Sequence, residues 1–126
     1  MDDRRTETRK KVMAFTPVRD RNRGVLLGFL GNLTLHGALV IGEKALDVDT
    51  KTELDIEFPD ELAGAPARHM LIGARVARCV RDEDSDRDFK IGFEFLNIQP
   101  EHTRTIEALL DRYHFRHREW AKKEEE

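Results

Sequence analysis

The segment Thr52–Phe58, TELDIEF, places Leu54, Ile56 and Phe58 on one side of an extended chain and Glu53, Asp55 and Glu57 on the other. Side chains alternate across a strand with period 2, so this is a strand with one dry face and one wet face. Phe89–Phe95, FKIGFEF, repeats the pattern with Phe89, Ile91, Phe93 and Phe95 on the dry side. A chain built on such segments must gather its dry faces into one core, and further strands are available to do it. Val12–Val18 (VMAFTPV), Val25–Leu33 (VLLGFLGNL) and Gly37–Gly42 (GALVIG) are apolar enough for strands. The polar RDRNRG after the first reads as a hairpin loop, and the glycines of the second allow a bend or bulge. Another strand covers Met70–Val80, with Met70, Ile72, Ala74, Val76 and Val80 on one face and Arg78 as the exception. Pro59 is expected to end the TELDIEF strand, DELAGAPARH to form a loop, and RDEDSDRD to form an acidic turn.

After Pro100 the period changes. Thr103, Ile106, Leu110 and Tyr113 fall three or four apart, with Leu109 beside them and Trp120 one heptad beyond Tyr113. This spacing predicts an amphipathic helix. The expected fold is all-β, about six strands in a small antiparallel barrel or sandwich, with the helix covering an open end or flank. The expected organisation is a flexible arm over 1–11, a barrel over 12–99, a helix over 100–122 and a frayed tail over 123–126.

A chain of 126 residues fits one domain. Its net charge of −3 argues against a general nucleic-acid binder, and neither DNA nor RNA is expected as a partner. That balance leaves room for a local basic site facing a small anion. Cys79 is the only cysteine, which excludes an intrachain disulfide and fits a small packing residue. The start, MDDRRTETRKK, carries no apolar run of the secretory kind, and the longest mainly apolar run, around Val25–Leu35, is too short for a membrane helix. The expectation is a cytoplasmic protein without membrane insertion.

Two short segments carry chemistry. In RRTETR, residues 4–9, Arg5 and Arg9 stand four apart with Arg4 adjacent. Guanidinium groups offer planar forks to phosphate and also stack on aromatic faces, although a charge run taken alone is more often a solvated tail. In GNLTLHGALVIG, Asn32 offers a donor and an acceptor, Thr34 a hydroxyl, and Gly37 a place for close backbone approach or an unusual backbone angle. Taken alone, these residues more often shape a turn.

The two segments together are more specific. RTETR fits R-x-x-x-R, NLTLHG fits (D/N)-x-(S/T)-x-x-G, and they occur in that order with a strand and a hairpin between them. The chain thus resembles the PilZ-domain family, whose members commonly bind the bacterial second messenger cyclic di-GMP. The likeness extends through RRTETRKKV, GNLTLHGALVI, ARVARCV and FKIGFEFLNI, covering nearly all of residues 4–115. It implies a six-stranded antiparallel β-barrel with a C-terminal helix. It also implies that Arg5 and Arg9 grip phosphates and stack on guanine, that Asn32, Thr34 and Gly37 line the strand side of the site, and that Arg4 assists. The family pattern usually has serine where this chain has Thr34; the hydroxyl is kept and the added methyl restricts its rotamer.

The resemblance further implies a receptor that does no chemistry and needs no cofactor. Its arm would order on the nucleotide and signal to a separate, unidentified protein, in motility or biofilm regulation. The alternative is a degenerate member that has lost the nucleotide and works as an interaction module, with Tyr113, Phe115 and Trp120 as a docking or dimer surface; either a monomer or a dimer fits. Other chemistry is poorly supported. His102, His114 and His117 lack the converging ligands a metal requires and read as exposed helix histidines. The acidic turn lacks the spacing of a calcium loop. There is no glycine-rich phosphate loop of the P-loop kind, and no nucleophile–base grouping, so no enzyme is expected.

Overall fold

The alternating segments form the wall of a closed barrel. The structure is a computed structural model that describes residues 11–13, 16–60 and 65–115. Its strands are β1 (Lys11–Met13), β2 (Pro17–Asp20), β3 (Val25–Leu33), β4 (Gly37–Gly42), β5 (Lys51–Asp60), β6 (Ala65–Arg81) and β7 (Phe89–Leu96). Helix α1 (Pro100–Arg112) and the short β8 (Tyr113–Phe115) follow. Six strands close in the order β2-β3-β4-β7-β6-β5, every pair antiparallel, with β2 meeting β5 at the seam. The expected six-stranded barrel with one helix is therefore what forms. Outside it, β1 pairs in parallel with β8, Lys11 opposite Tyr113.

Val18, Leu54, Ile56, Ile72, Val76, Ile91 and Phe93 fill the interior, all at or near zero exposure. Full burial of such a side chain is worth about 1.5–3 kcal/mol. Ile106 and Leu109 of α1, then Tyr113, join the same core, so the helix covers the barrel with its apolar stripe. His102 fixes where the helix starts. Its Nδ1 accepts the Gln99 N–H at 3.0 Å, so the ring proton sits on Nε2, which donates to the Leu71 carbonyl of β6 at 2.8 Å. The residue is half-buried and ties the helix to the wall, in place of the exposed surface histidine expected there.

Several boundaries differ from expectation. The strand expected over 12–18 is two strands, because β1 joins β8 and only β2 enters the barrel. Pro59 does not end β5. The strand runs through it to Asp60, with a register irregularity between Phe58 and Asp60 that accommodates a residue lacking an N–H. β6 begins at Ala65, so with Asp60 in β5 more than half of the expected DELAGAPARH loop is strand. A bulge between Val76 and Arg78 shifts the alternation of β6, turning Cys79 onto the core and leaving Val80 41% exposed. The helix expected over 100–122 stops at Arg112. Tyr113 is extended (φ −128°, ψ 150°) and the chain continues into β8, where pairing with β1 replaces helical hydrogen bonds. Residues 116–126, including His117 and Trp120, lie outside the described residues.

Two hairpins close on buried aspartates. Asp82 Oδ1 accepts the Asp84 N–H at 3.0 Å, so one member of the acidic turn is structural. Asp20 Oδ1 accepts the backbone N–H of Asn22 at 2.9 Å and of Arg23 at 3.3 Å. Burial alone would raise the Asp20 pKa. The nearby Thr52 hydroxyl, which has no well-aligned hydrogen bond of its own, and the donors of Arg23 and Asn22 outweigh burial and hold the carboxyl below its usual range.

The β3–β4 crossing is tight. A Cβ on Gly28 would collide with the Ile41 carbonyl, and one on Gly42 with the Leu27 carbonyl. Both obstacles are backbone atoms, which cannot swing aside. Gly42→Ala should cost about 1–3 kcal/mol in urea denaturation. Gly73→Ala, whose Cβ would meet only ordinary contacts at 3.8 and 3.9 Å, should be near neutral. A depressed Asp20 pKa stabilises the fold above the unfolded value of about 3.9, and that stability is lost as the pH falls through the folded pKa. Asp20→Asn should therefore flatten the decline of the urea midpoint between about pH 4 and pH 2.

Candidate functional site

The junction of β3 and β4 brings three of the expected site residues together. A bulge at Gly31 separates Leu30 and Leu33, which both point inward, and sets Asn32 on the outer face. Asn32 is only 4% exposed. Its Oδ1 accepts the Leu33 N–H at 2.8 Å, while its Nδ2 is buried without a hydrogen-bond partner. An unpaired buried amide costs about 1–3 kcal/mol, so such groups call for an explanation.

Thr34 shapes the turn that follows. Its Oγ1 accepts the N–H groups of His36 and Gly37, each at 3.1 Å. Its own proton has only a long contact of 3.4 Å to the Gly37 carbonyl, too weak to hold it firmly. The turn reading and a ligand reading are thus compatible: the lone pairs serve the turn and the proton can be redirected outward. Backbone bonds lock the turn in place, from the Thr34 N–H to the Gly37 carbonyl at 2.9 Å and from the Phe95 N–H to the His36 carbonyl at 2.8 Å. Gly37 is buried, opposite Glu94, and the positive-φ glycines among the described residues are Gly24 and Gly28. Gly37 therefore adopts no unusual backbone angle.

Arg4, Arg5 and Arg9 lie outside the described residues. The nearest described residue is Lys11, two beyond Arg9. It is in register with Tyr113 of β8, and β8 packs against β3, the strand that carries Asn32.

Cross-strand register defines the floor beside Asn32. Asn32 pairs with Leu39, Leu39 with Gly92, and Gly92 with Arg78. Leu39 is outward-facing yet only 5% exposed, and it is absent from the interior cluster that holds both its neighbours. The next row runs from Gly37 to Glu94 to Arg75. Arg75 is committed there, bonding Asp49 and Glu94 at 2.6 Å each, and these carboxylates raise its pKa. The two rows each carry a buried glycine, Gly92 in one and Gly37 in the other. Gly92 and Leu39 were not singled out from sequence, since their roles depend on strand pairing. Arg78 did leave a signal, as a charge where β6 was expected to be apolar. Among the described residues no group of three or more His, Cys, Asp or Glu is gathered to hold a metal, and no helix is long and apolar enough to cross a membrane.

Thr34→Ala removes the acceptor for two N–H groups and should cost about 1–2 kcal/mol in chemical denaturation. Thr34→Ser keeps the oxygen and should stay within about 0.5 kcal/mol of the parent.

Comparison with known proteins agrees with this fold. The chain is similar to the PilZ domain with c-di-GMP of YcgR from Escherichia coli, at 18% identity and a TM-score of 0.52, over 93% of each chain. No curated protein matches the chain at significant similarity. The family model described as PilZ domain matches residues 3–112, most of the sequence, and the chain belongs to the PilZ-domain family.

Proposed function

We propose that this protein is a receptor for cyclic di-GMP that binds without chemical conversion and passes the signal to a separate protein, in motility or biofilm regulation. The observation that carries the reading is the orphaned Nδ2 of Asn32, a buried donor at the motif position associated with guanine recognition. A purine acceptor would satisfy it, and the loosely held Thr34 proton would meet a phosphate or purine acceptor from the same edge. The structurally similar YcgR domain was solved with this nucleotide.

Cyclic di-GMP presents two phosphodiester charges and two flat purines. Arginine answers both, through charge-assisted bonds and by stacking. In this reading Arg5 and Arg9 close over the nucleotide while Asn32, Thr34 and Gly37 hold it from the barrel, with Arg4 assisting. The pairing of β1 with β8 beside β3 supports the geometry, because it roots the arginine-bearing segment close to the strand of Asn32. Ordering of a segment by a ligand is an established switching device and would create the surface that a partner reads.

Calorimetric titration of untagged protein tests this, with GTP as the control ligand. Saturable binding of cyclic di-GMP and none of GTP is the expected result. Arg5→Ala and Arg9→Ala should each weaken binding tenfold or more, in line with about 1.5–3 kcal/mol for a charge-assisted contact. Unchanged affinity in both variants would remove the assigned arginines from the site, and absence of binding at high micromolar nucleotide would refute the receptor.

A further inference from the structure

Among the described residues, β3 keeps three large apolar side chains exposed: Val25 at 44%, Leu26 at 48% and Phe29 at 42%. Register puts two of them on the outer wall. Leu26 stands opposite Arg19, whose guanidinium pairs with Glu57 outside the barrel. Phe29 lies between Pro17 of β2 and Ile41 of β4, both half-buried. Val25 adjoins the β2–β3 turn, where the side chains of Arg21 and Arg23 remain 53% and 72% exposed despite their pairs with Glu53 and Asp20. The result is an apolar face with a basic tip, on the half of β3 remote from the Asn32–Gly37 junction. Clustered exposed apolar groups of this kind mark contact surfaces.

The direction of β8 selects an occupant, the chain's own residues 116–126. β8 runs parallel to β1 and contacts β3, with Phe115 opposite Met13. The chain therefore leaves Phe115 in the direction in which β1 leads into β2. Pro17, beside Phe29, is four residues beyond Met13, about 13 Å of extended chain, and Trp120 is five beyond Phe115, a reach of about 17 Å. The spacing then matches a second time. Arg21 and Arg23 follow Pro17 by four and six residues, and Glu124 and Glu126 follow Trp120 by four and six. We infer that the outer face of β3 is a docking surface for residues 116–126, with Trp120 packed on Leu26 and Phe29 and Glu124–Glu126 meeting Arg21 and Arg23. The indole supplies a large flat apolar surface to the exposed leucine and phenylalanine, and the carboxylates offset the charge of the hairpin tip. An occupied face is closed to other chains.

Trp120 is the only tryptophan, so intrinsic fluorescence reports on it alone. The test measures its emission and its quenching by acrylamide in the full chain, in Leu26→Ser, Phe29→Ser and Val80→Ser, and in a synthetic peptide of residues 116–126, with thermal melting to confirm folding. Val80 is 41% exposed on β6, three strands from β3 in either direction round the barrel, and serves as the control for general apolar surface. Emission from the full chain should be blue-shifted and quenching several-fold slower than in the peptide. Leu26→Ser and Phe29→Ser should each move both readings toward those of the peptide, and raised salt should do so in part, since the Glu–Arg contacts are exposed. Val80→Ser should match the parent. Peptide-like readings in the full chain would overturn the inference, as would a protected indole indifferent to both β3 substitutions. Protection that disappears on dilution would also overturn it, by placing the contact between copies. None of these readings involves the nucleotide, so their failure leaves the receptor standing.

Discussion

Everything in this molecule depends on a seam four residues long. β2 hydrogen-bonds to β3 on one side and to β5 on the other, and without it the six strands would be an open sheet with two bare edges. Val18 at its centre is fully buried opposite Ile56, so the seam is apolar as well as hydrogen-bonded. Asp20 ends the strand by gathering the turn's N–H groups onto its carboxylate. Closure gives the wall a definite inside, and only then does an outside position such as Asn32 or Arg78 acquire a meaning.

Most of the wall was legible in the sequence because it obeys a single rule. β3 and β4 have the ends that alternation and turn residues predict, β7 runs one residue further, and the core positions Leu54, Ile56, Ile91 and Phe93 follow from period 2 alone. The departures share one cause, which is that pairing between distant segments overrides local pattern. The bulge of β6 is enforced by its register with β7, so Val80 turns outward although its spacing is that of a core residue. Likewise Tyr113 leaves the helix to pair with a strand that lies at the other end of the chain. Neither partner is visible within a local window of residues.

The candidate site was legible to a different degree. Asn32, Thr34 and Gly37 were found by motif, and the structure brings them to one junction. What the motif did not convey is the division of labour within it: Thr34 shapes the turn with its lone pairs, whereas Asn32 keeps an unpaired donor. The row beside Asn32 could not be read at all, because Leu39, Gly92 and Arg78 become its neighbours only through the register of four strands.

The parallel pairing of β1 and β8 has a consequence for how the molecule comes into being. These strands flank the entire barrel in the sequence, so bringing them together closes a loop that contains every barrel strand. Such a closure carries a large entropic cost unless intervening structure already holds the ends near each other. The barrel and α1 supply that structure, which makes the β1–β8 contact a late event in folding. The root of the arginine-bearing segment therefore reaches its place only once the wall beside it is complete.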